Sequence, residues 1–260
     1  MGTAVRFATS GDVFGVERAI NWLHWVDNTF SVHRPDSQIM RIRHDAISAG
    51  DIHPEVSAVL DRCATLRTLT DGRFDHRPEG ELDPSGYVKG WAVERAASLI
   101  EHSGLSRFYV DAGGDIAARG KWTVGIRDPK NPTRALLAVE LADEAIATSG
   151  SYERGDHIWG SDPDGLASVS AIGPDLGTAD AISTALFSSG GEDTTWLERF
   201  PDYEIVAITR DLRMWATRST RLVGRRNAGR TMEPWQRRPS EMRLNPKVKL
   251  EGRVRDGAAT

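Results

Sequence analysis

The stretch Leu82-Asp83-Pro84-Ser85-Gly86-Tyr87-Val88-Lys89-Gly90-Trp91 joins a Gly-rich loop to a helical pattern. From Trp91 to Ile100, apolar residues recur at the three- and four-residue spacing of a helix. A loop that leads into a helix presents unpaired backbone N–H groups and the positive end of the helix dipole. With the charge of Lys89 beside them, the stretch predicts a site for an anion such as phosphate. The alternative is a plain loop-to-helix junction with a solvated lysine.

Composition is typical of a soluble protein that is long enough to bury a full core. The 260 residues are 39% hydrophobic and 27% charged, with a formal net charge of -4. The sequence has no apolar run of about eighteen residues and no basic-then-apolar leader, so a cytoplasmic protein is expected. Cys63 is the single cysteine, which excludes an intramolecular disulfide and a thiolate metal cluster. Its place in a helical pattern predicts a buried apolar residue.

Charge is distributed unevenly along the chain. From Arg221 onward, eleven Lys and Arg stand against four Asp and Glu, a balance of +7 that leaves -11 for residues 1–220. The acidic body argues against a general basic surface for nucleic acid. We therefore expect one domain over residues 1–220 and a basic, disordered tail over residues 221–260. The tail is either passive or a contact for an acidic partner.

Hydrophobic periodicity predicts a mixture of helices and strands. The predicted helices cover residues 13–30, 53–70, 91–100, 179–187 and 196–200. The predicted strands cover residues 4–9, 108–110, 122–126, 136–141, 144–148, 167–172, 203–208 and 214–217. Because these elements lack the strand–helix–strand rhythm of a doubly wound sheet, we expect a single compact α+β domain with packed helices and a mostly antiparallel sheet.

A second informative stretch is Thr178-Ala179-Asp180-Ala181-Ile182-Ser183-Thr184. Asp180 and Thr184 are four residues apart, so they share one face of the predicted helix, and Ser183 lies beside them. A carboxylate with hydroxyl and carbonyl oxygens suits Mg²⁺. The alternative is that Asp180 caps the helix N-terminus.

His157 follows a polar loop over residues 149–156. A neutral imidazole there suits a general base that acts on a hydroxyl group, and the alternative is an ordinary surface histidine. The turns Gly72-Arg73-Phe74-Asp75 and Gly113-Gly114-Asp115 are weak signals on their own. The sequence contains no nucleophile elbow, HExxH zinc motif, P-loop or dinucleotide fingerprint.

Taken in order, these stretches resemble the FAD:protein FMN transferase family, the ApbE-like flavin transferases. The resemblance spans residues 1 to about 218 and follows the family's order and spacing, at residues 1–3, 30–31, 34–37, 70–75, 83–90, 113–115, 122–129, 147–152, 157–158 and 179–184. It implies a single α+β domain related to the T-fold. It also implies Mg²⁺-dependent transfer of FMN from FAD to a Thr or Ser hydroxyl of an acceptor protein, with release of AMP.

The resemblance also implies the residues of the site. The family's flavin-binding positions fall on Met1, His33, Arg73, Phe74, Asp75, Asp83, Lys89 and Ile158. Its metal positions fall on Gly86 (through its carbonyl), Asp180, Ser183 and Thr184. His157 matches a histidine suited to deprotonate the acceptor hydroxyl.

Two features depart from the family pattern. His33 takes the place of a tyrosine found in many relatives, and the segment after Ile158 reads Trp159-Gly160-Ser161-Asp162-Pro163, which is shifted and shortened. Many relatives are exported lipoproteins, whereas this chain starts at the Met-Gly-Thr motif, as expected for a cytoplasmic member.

Two other readings compete with transfer. One is an FAD pyrophosphatase, in which water replaces the acceptor. The other is an FAD-binding protein without catalysis. The terminal Ala259-Thr260 raises a further hypothesis, that the chain modifies its own tail.

Overall fold

The computed structural model describes residues 3–9, 14–150, 165–217 and 222–223. The helices in these ranges are α1 (Phe14–Phe30), α2 (Gln38–Arg43), α3 (Pro54–Leu69), α4 (Ser85–Glu101) and α5 (Leu176–Ser188). The strands are β1 (Val5–Thr9), β2 (Phe108–Ala112), β3 (Asp115–Arg119), β4 (Lys121–Asp128), β5 (Asn131–Ala142), β6 (Ala145–Gly150), β7 (Leu166–Gly173), β8 (Glu204–Thr209), β9 (Met214–Ala216) and β10 (Leu222–Val223). Within the described ranges, none of the helices combines the length and the apolar character that a membrane span needs.

The strands form two sheets. The large sheet has seven strands in the order β1-β2-β3-β6-β7-β8-β9, and the small sheet has three in the order β10-β5-β4. Neighbouring strands pair antiparallel in both sheets. The predicted α+β class with an antiparallel sheet is confirmed. Residues 222–223 were expected in the tail, but they pair with β5.

The large sheet lies between the helices and the small sheet. On β6, Ala145 and Ala147 belong to the core under the helices, whereas Ile146 between them belongs to a second core with residues of β4 and β5. This alternation follows from the two-residue repeat of a strand. Because both faces are covered, β7 and β8 are buried along their whole length. The protein therefore has three layers, and the candidate site lies in the layer of helices against the large sheet.

Glycines lie at the contact between helices α4 and α5 and leave no room there for a side chain. A Cβ atom added to Gly90 would overlap the carbonyl oxygen of Leu176 and lie 2.9 Å from Asp180 Cβ. From the other helix, a Cβ added to Gly177 would lie 2.8 Å from the ring of Tyr87. Each helix thus contributes a glycine that lets the two backbones approach.

The structure corrects one helix boundary. The predicted start of α4 at Trp91 is wrong, since the helix begins at Ser85. Glycines at 86 and 90 lower helix propensity locally, and this concealed the first turns of α4 from the sequence pattern. Lys89 therefore lies within α4 and does not precede it. The predicted helix over residues 196–200 is a short 3₁₀ segment, Thr195–Arg199.

Besides β10, one strand and one helix were missed altogether. Strand β3 is five residues long and contains two alanines, so its pattern is weak. Helix α2 has six residues and depends on the side chain of Ser37, which accepts a hydrogen bond from the Met40 N–H at 3.1 Å. Short elements of this kind leave little periodic signal in a sequence.

Replacement of Gly90 tests the close crossing of α4 and α5. We expect Gly90→Ala to lower the free energy of unfolding by about 2 kcal/mol or more, because overpacking outweighs the gain in helix propensity. Urea denaturation measures this change. Gly50→Ala is the control, because a Cβ at Gly50 meets no atom within 4 Å and should change the same free energy by less than about 0.5 kcal/mol. Equal stability of the two variants would contradict the close crossing.

Candidate functional site

The crossing of α4 and α5 brings three charged side chains together. Lys89 Nζ lies 2.8 Å from Asp115 Oδ2 on β3 and 3.9 Å from Asp180 Oδ1 on α5. The side chains of Lys89, Asp115 and Asp180 are 12%, 0% and 4% exposed. Two carboxylates and one ammonium leave one negative charge in a buried place, which favours a cation there. Lys89 is therefore not a solvated lysine, and it does not form an anion site by itself.

Asp180 lies in the second turn of α5 and points back toward α4. Its Oδ2 accepts a hydrogen bond from the Gly90 N–H at 3.0 Å. The alternative role of Asp180 as a helix cap is wrong, because α5 is capped by Asp175, whose side chain accepts from the Thr178 N–H at 2.8 Å. The Asp180 carboxylate thus bonds to the backbone of α4 across the helix contact and does not cap the N-terminus of α5.

Three hydroxyl groups lie next to Asp180. Ser149, near the end of β6, has its Oγ 2.9 Å from Ser183 Oγ and 3.4 Å from Thr184 Oγ1. Ser183 Oγ also lies within hydrogen-bond range, 3.0 Å, of the Asp180 carbonyl. The predicted metal positions Ser183 and Thr184 are therefore together, on one face of α5. Ser149 and Asp115 complete this group and were not among the predicted site residues.

Gly86 lies where α4 meets Thr184 and Phe74. A Cβ on Gly86 would lie 3.3 Å from Thr184 Cγ2 and 3.4 Å from the ring of Phe74. In a regular helix the Gly90 N–H is the donor for the Gly86 carbonyl, and here this N–H donates to Asp180. The carbonyl oxygen has two lone pairs, so Gly86 has acceptor capacity for a ligand.

The turn after α3, which contains Arg73, forms an ion pair and a hydrogen bond with residues at and just after the end of α5. Arg73 pairs with Asp193 at 2.7 Å, and its carbonyl accepts from Ser188 Oγ at 3.1 Å. The Phe74 N–H donates to Thr70 Oγ1 at 3.0 Å. Phe74 as a whole is 1% exposed, so neither its ring nor its backbone lies open to a ligand in this structure.

Three other predicted positions lie within the described residues, and two of them have local partners. Asp75 pairs with Arg67 at 3.2 Å, and Asp83 Oδ1 accepts from the Ser85 N–H at 3.0 Å, where α4 begins. His33 is exposed in the loop after α1. The structure thus places Gly86 against Thr184 and Phe74 and brings Lys89 close to Asp180. By contrast, His33 is exposed and Asp75 is half-buried.

Met1, His157 and Ile158 lie outside the described residues. The described chain stops at Gly150 and resumes at Gly165. Gly150 pairs with Ser168 of β7 and follows Ser149 directly.

The donor set suits a hard metal ion. In the part of the chain that the structure describes, no three residues among His, Cys, Asp and Glu lie close enough to hold a metal. The group at α5 instead offers one carboxylate, two hydroxyls and the Gly86 carbonyl, all of them oxygens. Mg²⁺ is commonly bound by one or two carboxylates together with substrate phosphates. The residues present fit Mg²⁺ and do not resemble a zinc site.

Comparison with known proteins identifies the family. The model of the ApbE family matches residues 1–78 and 76–207. The chain belongs to the ApbE family. The resemblance that the sequence motifs suggested is thereby confirmed.

Curated relatives carry the name FAD:protein FMN transferase. The protein of Klebsiella pneumoniae is 25% identical over 185 residues, which are 65% of this chain and 58% of that protein. The protein of Escherichia coli K12 is 30% identical over 154 residues, 52% of this chain and 44% of that protein. The protein of Treponema pallidum is 31% identical over 169 residues, 53% of this chain and 46% of that protein. The chain spans about half the length of the curated relatives it matches.

Solved ApbE structures share the fold. The ApbE protein of Thermotoga maritima superposes with a TM-score of 0.71 at 22% identity and covers 82% of this chain and 93% of its own. The flavin transferase ApbE of Vibrio cholerae superposes with a TM-score of 0.68 at 19% identity, over 83% of this chain and 94% of its own. These superpositions show that the chain has the same fold as the solved ApbE proteins. The residues that the family model matches include both α4 and α5.

The single cysteine takes no part in this site. Cys63 on α3 is buried, and burial raises the pKa of its thiol to about 12. Since the thiolate is the reactive form, the native protein should not react with dithionitrobenzoate at about pH 8, whereas the chain unfolded in guanidinium should react once. Absorbance of the released thiolate measures both reactions. Rapid labelling of the folded protein would contradict the buried position of Cys63.

Proposed function

We propose that this protein transfers FMN from FAD to a Thr or Ser hydroxyl of an acceptor protein and releases AMP, with Mg²⁺ as its metal. The observation that carries the proposal is the convergence of Asp180, Ser183, Thr184 and the Gly86 carbonyl beside Lys89 at the α4–α5 crossing. The name shared by the curated relatives supports it.

The reaction is a displacement at phosphorus. The acceptor oxygen forms a bond to the phosphorus of FMN, the bond between this phosphorus and the bridging oxygen of AMP breaks, and the hydroxyl proton passes to a base. Charge gathers on the transferred phosphoryl oxygens and on the leaving AMP. Catalysis of such a step consists mainly of positioning and electrostatic stabilisation.

Asp180, Ser183, Thr184 and the Gly86 carbonyl would hold the metal ion. Mg²⁺ when bound neutralises charge on the pyrophosphate oxygens of FAD. A cation is favoured at this place because the buried cluster contains two carboxylates, those of Asp115 and Asp180, and one ammonium, that of Lys89. Without a cation, that cluster would repel the pyrophosphate.

Lys89 supplies a positive charge from within the protein. Its side chain is 12% exposed, and its ammonium lies 2.8 Å from Asp115 Oδ2. A charge with little water around it acts on a phosphate more strongly than an exposed charge does. The other proposed contacts to FAD are Met1, His33, Arg73, Phe74, Asp75, Asp83 and Ile158.

His157 is proposed as the base that accepts the proton of the acceptor hydroxyl. A Thr or Ser hydroxyl is a weak nucleophile near neutral pH, so it needs a base close by. Support comes from the match of His157 to the family histidine that suits this role. The cytoplasmic location and the disordered basic tail remain predictions of the sequence.

An assay of FAD turnover tests the proposed function. The protein is incubated with FAD, Mg²⁺ and a peptide that contains Ala-Thr, and AMP and peptide mass are measured in parallel. We expect AMP together with a peptide heavier by one FMN residue, and neither product when a chelator removes Mg²⁺. AMP with free FMN and unmodified peptide would favour the pyrophosphatase. FAD binding without AMP would favour a binding protein.

Substitution of Asp180 tests the metal position. We expect Asp180→Asn to reduce Mg²⁺-dependent AMP release by about 100-fold or more, because the carboxylate is the one charged metal ligand in the proposed set. Asp175→Ala is the matched control on the same helix. It removes the cap of α5 and should lower the free energy of unfolding by about 1 kcal/mol while turnover still depends on Mg²⁺.

The two variants separate loss of helix stability from loss of the metal. A thermal melt accompanies each rate measurement. A wild-type rate in Asp180→Asn would contradict the metal assignment, and an equal loss of rate in Asp175→Ala would show that stability of α5 explains both results.

A further inference from the structure

A cavity of about 250 Å³ lies between the large sheet and β4. Strands β2, β3 and β6 form one wall, and β4 forms the other, where every residue from Trp122 to Arg127 lines the cavity. Successive side chains of a strand point to opposite faces. A cavity that meets a continuous run of residues therefore lies along the edge of the strand and contacts its backbone. Gly125 has no side chain and lines the cavity with its backbone alone.

Alternate residues of β4 direct their backbone N–H and C=O groups away from β5. The Asp143 N–H, just after β5, donates to the Gly120 carbonyl, just before β4, at 3.2 Å. The regular register starts with Lys121 opposite Ala142 and continues to Ile126. Bonded and non-bonded pairs alternate in an antiparallel ladder. The even-numbered residues of β4 therefore bond to β5 over this range, and the backbone groups of the odd-numbered residues point to the other side.

Thr123 and Gly125 are the odd-numbered residues that line the cavity in the regular part of β4. Among the described strands, β4 pairs with β5 alone and forms the edge of the small sheet. We call the side of β4 that faces away from β5 its open edge. The N–H and C=O groups of a strand edge are a template for a further strand. The cavity is thus a groove in which an extended chain would pair with Thr123 and Gly125.

The wall opposite β4 indicates the character of such a chain. It runs from Tyr109 past Asp111 to the turn at Gly114, roughly 13 Å at the rise of a strand. Apart from Asp111 and Arg127, the described residues that line the cavity are uncharged. The groove therefore suits a short extended peptide with small or apolar side chains.

The cavity lies next to the candidate site. Gly114 and Thr148 line it, and each is followed directly by a residue of the site, Asp115 or Ser149. The Thr148 N–H donates to Asp115 Oδ1 at 3.1 Å and so connects the two segments. Among the described residues, none of the positions proposed for FAD or the metal lines the cavity. A chain in the groove would therefore reach the site without taking the place of the donor.

We propose that this groove binds an extended segment of the acceptor protein, which adds as a strand to the open edge of β4 and presents its Thr or Ser hydroxyl to the candidate site. Recognition of this kind takes its affinity from backbone hydrogen bonds and its selectivity from the side chains that fit the groove. The inference rests on the proposed function. It adds the conformation of the acceptor and the surface that binds it.

Amide hydrogen exchange of the whole protein, followed residue by residue by NMR, tests the groove. The probe is a peptide that contains Ala-Thr, added in excess without FAD. In the free protein, the Thr123 and Gly125 amides should exchange at least about 10-fold faster than those of Trp122 and Val124, which bond to β5. We expect the peptide to slow exchange at Thr123 and Gly125 by about 10-fold or more and to leave Trp122 and Val124 unchanged.

Three results would overturn the inference. The first is exchange at Thr123 and Gly125 that the peptide does not slow. The second is slow exchange produced by FAD alone, because the cavity would then hold the donor. The third is slow exchange in the free protein that is lost on dilution, because a second copy of the chain would then pair with β4.

Proline substitutions in β4 locate the effect on the open edge. Thr123→Pro removes an N–H that faces the cavity, and proline is tolerated where the N–H of an edge strand points away from its partner. We expect the KM for the peptide in FMN transfer to rise about 10-fold, the effect of one lost hydrogen bond, with an unchanged Kd for FAD.

Lys121→Pro is the matched control. Lys121 has the same backbone orientation as Thr123 but does not line the cavity. We expect this variant to lose thermal stability as Thr123→Pro does and to keep the wild-type KM for the peptide. A wild-type KM in Thr123→Pro would contradict pairing with β4, and an equal rise in both variants would show that damage to the strand explains the effect.

Two N-methylated versions of the peptide test the same pairing without any change to the protein. In an extended strand, the N–H groups of successive residues point to opposite sides. One version carries N-methyl groups at odd positions and the other at even positions. We expect one version to bind about 10-fold more weakly than the other. Equal binding of the two versions would overturn the inference, and this comparison decides the matter if Thr123→Pro does not fold.

These outcomes are distinct from failure of the proposed function. FMN transfer to the peptide without slower exchange at Thr123 and Gly125 would overturn the groove and leave the transferase intact. Slower exchange at these amides without FMN transfer would disprove the transferase and leave β4 as a site for an extended peptide. A protein that shows neither result would remove both.

Discussion

The close crossing of α4 and α5 is the constraint on which the site depends. Because Gly90 has no side chain, the backbone of α4 approaches Leu176 and Asp180 closely enough for the Gly90 N–H to reach the Asp180 carboxylate. The same approach places Lys89 between two carboxylates. A larger residue at position 90 would overlap Leu176 and Asp180 and so disturb the contact between the Gly90 N–H and the Asp180 carboxylate. A glycine inside a helix lowers the free energy of unfolding by roughly 1 kcal/mol relative to alanine. At position 90, the absence of a side chain in turn permits the contact between the two helices.

The buried charges form one unit. A buried ammonium or carboxylate left without a partner is strongly destabilising, so Lys89, Asp115 and Asp180 depend on one another for their place in the core. Each carboxylate also accepts a backbone N–H, from Thr148 or from Gly90. These hydrogen bonds connect the unit to β6 and to α4. The ionic cluster is consequently held by the sheet and by both helices, and its charges cannot shift independently.

Much of this could be predicted from the sequence, but not all of it. The periodicity of strands and helices was sufficient to predict the α+β class. The spacing of Asp180, Ser183 and Thr184 was sufficient to predict that they share one face of a helix. The start of α4 was misplaced because Gly86 and Gly90 weaken the local helix signal, although packing against α5 stabilises those turns. Asp115 and Ser149 were missed because their partners, Lys89 and Ser183, are distant in the sequence. Periodicity describes local structure and carries no information about such contacts.

The charge balance of the cluster has a consequence for how a nucleotide and a metal would bind. One net negative charge favours a cation and disfavours a pyrophosphate, so each ligand meets a more favourable field when the other is already bound. Coupling of this kind is reciprocal: the factor by which the metal improves nucleotide affinity is the factor by which the nucleotide improves metal affinity. Lys89 moderates the effect, because its ammonium attracts the phosphates and repels the metal. Under the proposed function, the place of Lys89 beside Asp115 would therefore contribute to the balance between the two ligands.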